Sequence, residues 1–303
     1  MTKEFSQIEW DEYLEDDSRQ IVRLAVREDL DRFYDWTTVS LVPSDAVGGT
    51  VIAARQSGIA AGLKVAELTL DEMDAKVDWK STVQDGDSVS AGDCLAELAG
   101  DTRDLLTSER LLLNFLGRLS GIATLTRRYV DAVRGTKASI YDTRKTTPGW
   151  RRLEKYAVQC GGGRNHRTGL FDAVLIKDNH LALAHVTPAQ AVRQAREFLR
   201  ETITDEERVA SMIVEIEVDT LEQLDDVLPA APEIILLDNM SPDQLREAVS
   251  RRDAANPAVQ LEASGGVSLQ TVRAIAESGV DRISVGALTH SAVSLDVGMD
   301  WRA

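Results

Sequence analysis

An α/β protein of two domains is predicted by three features of the sequence. They are a length of 303 residues, a regular alternation of short apolar and amphipathic stretches after residue 138, and polar residues closing nearly every apolar stretch. Such a length suits about two domains of roughly 100–200 residues each. Hydrophobic residues make up 43% and charged residues 28% of the chain, a globular balance with ample material for a core. No run of about 20 apolar residues offers a membrane span. The opening MTKEFSQIEWDEYLEDD is acidic and lacks the apolar core of an export signal. Cys94 and Cys160 lie far apart without metal-ligand spacing. Both are expected as small buried residues in a reducing cytoplasm.

The first 118 residues are mixed. Residues 21–30 (IVRLAVREDL) suit a short helix, 49–56 (GTVIAARQ) a strand, and 62–74 (GLKVAELTLDEMD) a helix. From Asp85 to Leu98 the placement of Gly and Asp predicts turn, strand, turn, strand. Lipoyl-carrier hairpins share that pattern, but no lysine stands at a hairpin tip here. In 104–118 (DLLTSERLLLNFLGR) leucines cover most of a helix, which predicts burial between layers. A second helix is predicted over 120–134, ending near Gly135.

After residue 138 the rhythm becomes strand then helix. Strands are predicted near 138–142, 173–176, 212–217, 233–237, 259–262 and 282–285. Each is short and apolar, as in a parallel sheet buried on both faces. Thr187-Pro188-Ala189-Gln190 and Ser241-Pro242-Asp243-Gln244 each supply an N-cap, a first-turn proline and a capping-box Gln. Thr220-Leu221-Glu222-Gln223 repeats the box without proline. Six such units favour a TIM-like barrel, with an open doubly wound sheet as the alternative.

The net charge of -16 argues against general nucleic-acid binding. From Arg144 to Arg167, however, Arg144, Lys145, Arg151, Arg152, Lys155, Arg164 and Arg167 face a single acid, Glu154. A basic segment in an acidic chain suggests a local site for a small anion. Polar residues also close the predicted strands: Asp142-Thr143-Arg144-Lys145, Lys177-Asp178-Asn179-His180, Glu217, Asp238-Asn239, Ser264-Gly265-Gly266, and Gly286. In a barrel these ends converge on one face, where active sites are built. Arg144, Lys145, Arg167 and Lys177, with His166 beside them, suit a ligand with several negative groups. Glu217 and Asp238 suit either Mg²⁺ or a developing positive charge. Ser264-Gly265-Gly266 before a helix near 268–277, together with Gly286, suggests phosphate binding. No HxxxH or HxH spacing supports a catalytic zinc. His166 is expected to hydrogen-bond substrate and His180 to be structural, and His185 and His290 receive no role.

The stretch YDTRKTTPGWRRLEKYAVQCGGGRNHRTGLFDAVLIKDNH (141–180) resembles the most characteristic region of quinolinate phosphoribosyltransferases, also called carboxylating nicotinate-nucleotide pyrophosphorylases. The likeness continues through LTSERLLLNFLGRLSGIATLTRRYVDAV (106–133), VEIEVDTLEQL (214–224), ILLDNMSPDQL (235–245) and EASGGVSLQTVRAIAESGVDRISVGALTHSA (262–292). The resemblance implies an N-terminal α/β sandwich domain (1–118), an incomplete TIM-like α/β barrel (119–290) with one strand more than the six read here, and a C-terminal tail (291–303). It implies transfer of phosphoribosyl from phosphoribosyl pyrophosphate to quinolinate, giving nicotinate mononucleotide, pyrophosphate and CO₂ for NAD synthesis, with Mg²⁺. Carried onto matching positions, Arg144, His166, Arg167 and Lys177 would meet the quinolinate carboxylates. Lys145, Glu217, Asp238, Ser264, Gly265, Gly266, Ser284 and Gly286 would hold phosphoribosyl pyrophosphate and its Mg²⁺. Lys145, Lys177, Glu217 and Asp238 would carry the catalysis. A homodimer is implied, with Arg110 arriving from the neighbouring subunit.

This chain departs from the family pattern at EDLDRFYDWTT (28–38), where Asp31 and Phe33 replace glycines, and at the bulky Trp150. Two rival readings use the same residues. One is a Schiff-base aldolase on Lys177, and the other a non-catalytic anion-binding assembly protein.

Overall fold

The computed structural model describes residues 3–302. The N-terminal half runs α1 (Glu12–Leu30), α2 (Trp36–Leu41), β1 (Val47–Ala54), β2 (Gly58–Ile59), α3 (Leu63–Glu72), β3 (Val77–Ser81), β4 (Ser88–Val89), β5 (Cys94–Asp101) and α4 (Thr102–Ala132). Then follow β6 (Ser139–Tyr141), α5 (Arg151–Cys160), β7 (Val174–Ile176), α6 (Asp178–Ala184), α7 (Pro188–Thr202), α8 (Glu206–Ser211), β8 (Val214–Val218) and α9 (Leu221–Val227). The chain closes with β9 (Ile234–Asp238), α10 (Pro242–Ala255), β10 (Gln260–Ser264), α11 (Val272–Ala276), β11 (Arg282–Ser284), α12 (Ala287–His290) and β12 (Val297–Trp301).

By compactness the chain forms two units, each assembled from separate stretches. One comprises Ile8–Arg127, Lys145–Gly163 and Leu288–Ala303, and the other Arg128–Arg144 and Arg164–Ala287 with the N-terminal residues up to Gln7. The boundary expected at 118/119 falls inside α4.

The first unit holds an antiparallel sheet in the order β12-β1-β5-β3. Ile52, Ala54, Leu95 and Leu98 of the sheet pack in one core with Leu63, Ala66 and Leu70 of α3 and Leu105, Leu112, Leu113 and Leu116 of α4. Burying a Leu or Ile side chain contributes about 1.5–3 kcal/mol, so this layer is the unit's main source of stability.

Three expectations change here. The two helices predicted around residue 119 are one helix of 31 residues. Gly121 does not interrupt it, because its missing side chain serves a close approach: a Cβ there would lie 2.1 Å from the Val293 carbonyl oxygen. Residues 291–303 are not merely a tail, since Val297–Trp301 pairs antiparallel with β1, from Ala54↔Val297 to Thr50↔Trp301. Asp31, which stands where the family resemblance predicts glycine, still adopts φ 48°. That conformation strains a side-chain-bearing residue by roughly 1–2 kcal/mol.

The second unit is a parallel sheet ordered β6-β11-β10-β9-β8-β7. Each strand from β7 to β10 neighbours its successor, and the last, β11, returns to pair with the first, β6. That is barrel connectivity, left open between β6 and β7. The resemblance implied one strand more than six. Among the described residues the parallel sheet has six, and on the free edge of β6 a single bridge joins Tyr141 to Arg164. The Arg164 amide donates to Ile140 O at 2.8 Å, and the Asp142 amide donates to Arg164 O at 3.0 Å. The further strand is reduced to this one-residue stub. All three predicted capping boxes form, at Thr187/Gln190, Thr220/Gln223 and Ser241/Gln244. After β8 and β9 the capped helix follows at once and leaves a short loop at the strand's C-terminal end, whereas α6 intervenes between β7 and the capped start of α7.

Candidate active site

Period-two alternation decides what the parallel sheet presents inward. In register, Glu217 lies opposite Leu236, Leu236 opposite Glu262, and Glu262 opposite Arg282. One step toward the C-terminal ends, Asp238 lies opposite Ser264, and Ser284 opposite Tyr141. These residues share one face, so the polar groups of four strands are stacked in layers leading up to the strand ends.

At the open edge, the Arg164 stub sets up the next three residues. The buried Asp142 carboxylate accepts from the His166 amide at 2.8 Å and the Asn165 side-chain amide at 2.7 Å. The Arg167 amide donates to His166 Nδ1 at 2.8 Å. Nδ1 therefore carries no proton, and a neutral ring holds its proton on Nε2. Nε2 lies 2.9 Å from Glu215 and 3.5 Å from Glu262. At these distances Nε2 faces both buried carboxylates. Phe5 stacks on the His166 ring with centroids 4.3 Å apart. His166, Glu215 and Glu262 could by position hold a metal ion. The amide on Nδ1 opposes this, because a metal on Nε2 would require the ring to lose both protons. Burial, and next the Glu215 charge, push the Glu262 carboxyl up to about 7.

Beside this buried cluster stand two guanidiniums. Arg167 is 8% exposed and donates to Ala173 O at 3.3 Å. Burial, and next the like charge of Arg144, lower its hold on the proton, partly offset by Glu215 and Asp172. Arg144 has a buried Nε with no hydrogen-bond partner. Two neighbouring cations, one with an unmet donor, form a site that an anion would satisfy.

On the following strands, Lys177 forms an ion pair with Glu217. Burial pushes the Glu217 carboxyl up, Lys177 draws it back, and the charges of Asp238 and Asp178 push it up again. Asp238 accepts from the Asn239 side chain at 2.6 Å. Gly265, at φ 89°, packs on Asn239 so tightly that a Cβ would lie 2.2 Å from its side-chain oxygen and 2.9 Å from its amide. The SGG turn thus requires glycine and abuts the Asp238 loop. His180 Nδ1 accepts the Lys177 amide at 2.9 Å, which is a structural role at the start of α6.

Arg144 and Arg167 are neighbours, as are Lys177, Glu217 and Asp238, and Ser264-Gly265-Gly266 adjoins Asp238; Ser284 is buried on the same sheet face. Lys145, Arg110 and Trp150 belong to the other unit. The Lys145 carbonyl accepts from Thr289 Oγ1 at 2.8 Å. Arg110 lines a cavity of about 570 Å³ with Leu113, Asn114 and Arg118. The bulky Trp150 stacks on Phe115, centroids 5.1 Å apart. A cavity of about 470 Å³ beside α7 and α8 is a poor rival site. Its Lys3 and Arg196 are already paired with Glu233, and it opens beside Val214 and Glu233, at the N-terminal ends of β8 and β9.

Three buried residues escape the sequence-level reading: Glu215, Glu262 and Arg282. Arg282 pairs with Glu4 and lies 4.3 Å over the Tyr141 ring. The available signal was the alternation within VEIEV, QLEAS and DRISV, which marks a polar inner face where uniformly apolar strands were expected.

Comparison with known proteins adds independent findings. Residues 35–120 match the family described as quinolinate phosphoribosyl transferase, N-terminal domain, and residues 122–300 match its C-terminal domain. A nicotinate-nucleotide pyrophosphorylase (carboxylating) from Mycobacterium leprae is 46% identical over 94% of this chain and 97% of its own length. A chloroplastic protein of that name from Arabidopsis thaliana is 39% identical over 93% of this chain and 82% of its own. The solved nicotinate-nucleotide pyrophosphorylase from Francisella tularensis superposes with a TM-score of 0.88 at 35% identity, covering 99% of this chain and 100% of that one.

Proposed function

The chain belongs to the quinolinate phosphoribosyltransferase family, and from that premise we propose how its residues divide the work of a carboxylating nicotinate-nucleotide pyrophosphorylase of de novo NAD biosynthesis. The enzyme joins quinolinate to phosphoribosyl pyrophosphate with loss of CO₂. Arg144 and Arg167 take the quinolinate carboxylates. The observation that carries this assignment is the adjacent pair of guanidiniums, with a buried Arg144 Nε lacking any partner. A dicarboxylate satisfies both, whereas a monocarboxylate leaves one buried donor unmet, and that is the basis of selection. Both ring nitrogens of His166 face protein groups, so its contribution in this reading is to orient Arg167 through the Nδ1–amide bond. Lys177, ion-paired with Glu217, is in this reading a further cation for the quinolinate carboxylates.

Lys145 and the backbone amides of Ser264, Gly265, Gly266 and the Gly286 loop, with the Ser284 hydroxyl, hold phosphoribosyl pyrophosphate. Glu217 and Asp238 fit Mg²⁺: both are carboxylates, and each charge disfavours the other, which a divalent cation would relieve. Bound there, directly or through water, Mg²⁺ supplies positive charge to offset the leaving pyrophosphate. Glu217 and Asp238 also stabilise the ribosyl ring as it gains positive charge while the pyridine nitrogen attacks the anomeric carbon. The new bond makes that nitrogen cationic, which stabilises the electron pair left on the adjacent carbon when the 2-carboxylate departs as CO₂, and a proton from solvent then completes that carbon's C–H bond. No covalent enzyme intermediate is needed. Lys177 sits in an ion pair, not in the apolar pocket that activates Schiff-base lysines.

In this reading the enzyme is a homodimer in which Arg110 of one subunit enters the site of the other. Cys94 and Cys160 are free thiols, consistent with a reducing compartment such as the cytoplasm. Among the described residues no helix is long and apolar enough to cross a membrane.

The test is incubation of the purified protein with quinolinate, phosphoribosyl pyrophosphate and Mg²⁺, measuring nicotinate mononucleotide and CO₂ together. Equal yields of both products are expected. Mononucleotide formed without CO₂, or formed equally well from nicotinate, would contradict the reading.

A further inference from the structure

Between β6 and α5 the chain runs through Lys145-Thr146-Thr147-Pro148-Gly149-Trp150 without regular structure, so no strand or helix ladder fixes Lys145. Hydrogen bonds from the residues around it lead to Glu154, the one acid in the basic segment. Glu154 is fully buried in the first turn of α5. Its carboxylate accepts from the Thr147 amide at 3.1 Å, the Thr147 hydroxyl at 2.9 Å and Arg118 Nη2 at 2.6 Å. Arg118, from α4, also donates to the carbonyls of Thr289 and Ala292. Thr289 in turn donates through Oγ1 to the Lys145 carbonyl at 2.8 Å. The segment is therefore tied on both sides of Thr146, and Arg118 joins the two ties.

We propose that Arg118, Glu154, Thr147 and Thr289 form a positioning clamp that sets Lys145 for binding the pyrophosphate-bearing substrate. A buried ion pair is weak evidence for stability, because desolvation offsets most of its attraction. Its geometric effect is stronger: Glu154 holds the Thr147 amide, and Arg118 holds the carbonyl of Thr289, whose hydroxyl donates to the Lys145 carbonyl. A shift of about 1 Å in a group that grips a reacting substrate can lower the rate by roughly a hundredfold. The clamp rests on the reading of Lys145 as a phosphoribosyl pyrophosphate contact, and the experiment separates the two.

Steady-state kinetics of the full chain, varying each substrate in turn, should compare wild type with Lys145→Ala, Thr289→Val, Thr289→Ser and Lys145→Ala/Thr289→Val. Thr147→Val supplies a second probe. Glu154→Gln is not used alone, because halving a buried ion pair threatens folding. Thr289→Val keeps shape and removes the hydroxyl donor. Loss of this one hydrogen bond is expected to raise KM for phosphoribosyl pyrophosphate about three- to tenfold, leaving KM for quinolinate within about twofold of wild type. Thr289→Ser should restore it, and Thr147→Val should repeat the effect. Because Thr289 acts through Lys145, the double variant should be no worse than Lys145→Ala. Equal rises in both KM values, no change in either, or full additivity with Lys145→Ala would overturn the clamp while leaving the role of Lys145 intact. An unchanged KM for phosphoribosyl pyrophosphate in Lys145→Ala would instead overturn the underlying assignment, and the clamp with it.

Discussion

Arg144 and Arg167 are held close although their charges repel, and the buried Arg144 Nε has no hydrogen-bond partner. Both features are unfavourable until an anion arrives, so in the proposed reading the binding energy of quinolinate is concentrated there. Arg144→Ala should therefore lower kcat/KM for quinolinate by about 2–5 kcal/mol, as expected when one partner of a buried charge contact is removed. Arg144→Lys should recover little, because an ammonium cannot make two parallel bonds to a carboxylate. Near-normal turnover by the alanine variant would refute the role.

Glu262 carries a different consequence. Burial and the Glu215 charge lift its carboxyl to about 7 from an ordinary 4.5. A carboxyl lifted in the folded state stays protonated there while the unfolded chain has already ionised. Its contribution to stability is thus full below about 4.5 and is lost as pH rises toward about 7. Glu262→Gln should lose less stability than wild type between about pH 5 and 8, by on the order of 2 kcal/mol. Denaturant titrations at the two pH values check this, and parallel losses would contradict it.

The Arg164 stub shows how an element smaller than a strand can build a site. Its two backbone bonds to β6 bring Asn165 and His166 onto Asp142, and His166 then takes the Arg167 amide. Asp142→Asn replaces an acceptor with a donor facing a donor. We expect it to cost about 1–3 kcal/mol of stability and to weaken quinolinate binding through Arg167. A calorimetric titration showing wild-type affinity would break that link.

At this scale the sequence was legible where chemistry is local. Thr187, Thr220 and Ser241 each open a helix as their capping boxes predict, and β6 to β11 lie where short apolar runs occur. It was less legible where packing decides. The helices predicted over 104–118 and 120–134 are one, and Gly121 within it serves contact with Val293. The pairing of β12 with β1 joins Thr50 to Trp301, a separation no local pattern encodes. Glu215, Glu262 and Arg282 sit among apolar neighbours that conceal the alternation. In the candidate site, Arg144, Lys177, Glu217 and Asp238 were legible from their place at strand ends, whereas Arg110, on the helix α4, is proposed through family resemblance alone.

For the whole molecule, an acidic chain of net charge -16 must draw in two polyanionic substrates. Concentrating basic residues between Arg144 and Arg167 supplies local positive charge without changing the overall sign, although Arg152 and Arg164 are paired with Asp17 and Glu4. A shared site between subunits would add Arg110 to that field. Arg110→Ala and Lys177→Ala subunits, each inactive alone, should regain about a quarter of wild-type activity when mixed and allowed to exchange, because a mixed dimer carries one intact site of two. No recovery after demonstrated exchange would place Arg110 in its own subunit's site or outside any site.

The most direct measurement is a crystal structure with quinolinate bound. The ring should lie at the C-terminal ends of the parallel strands, with its carboxylates on the Arg144 and Arg167 guanidiniums and its nitrogen toward Glu217 and Asp238. Quinolinate bound elsewhere, such as in the cavity beside α7 and α8, with Arg144 and Arg167 untouched, would contradict the account.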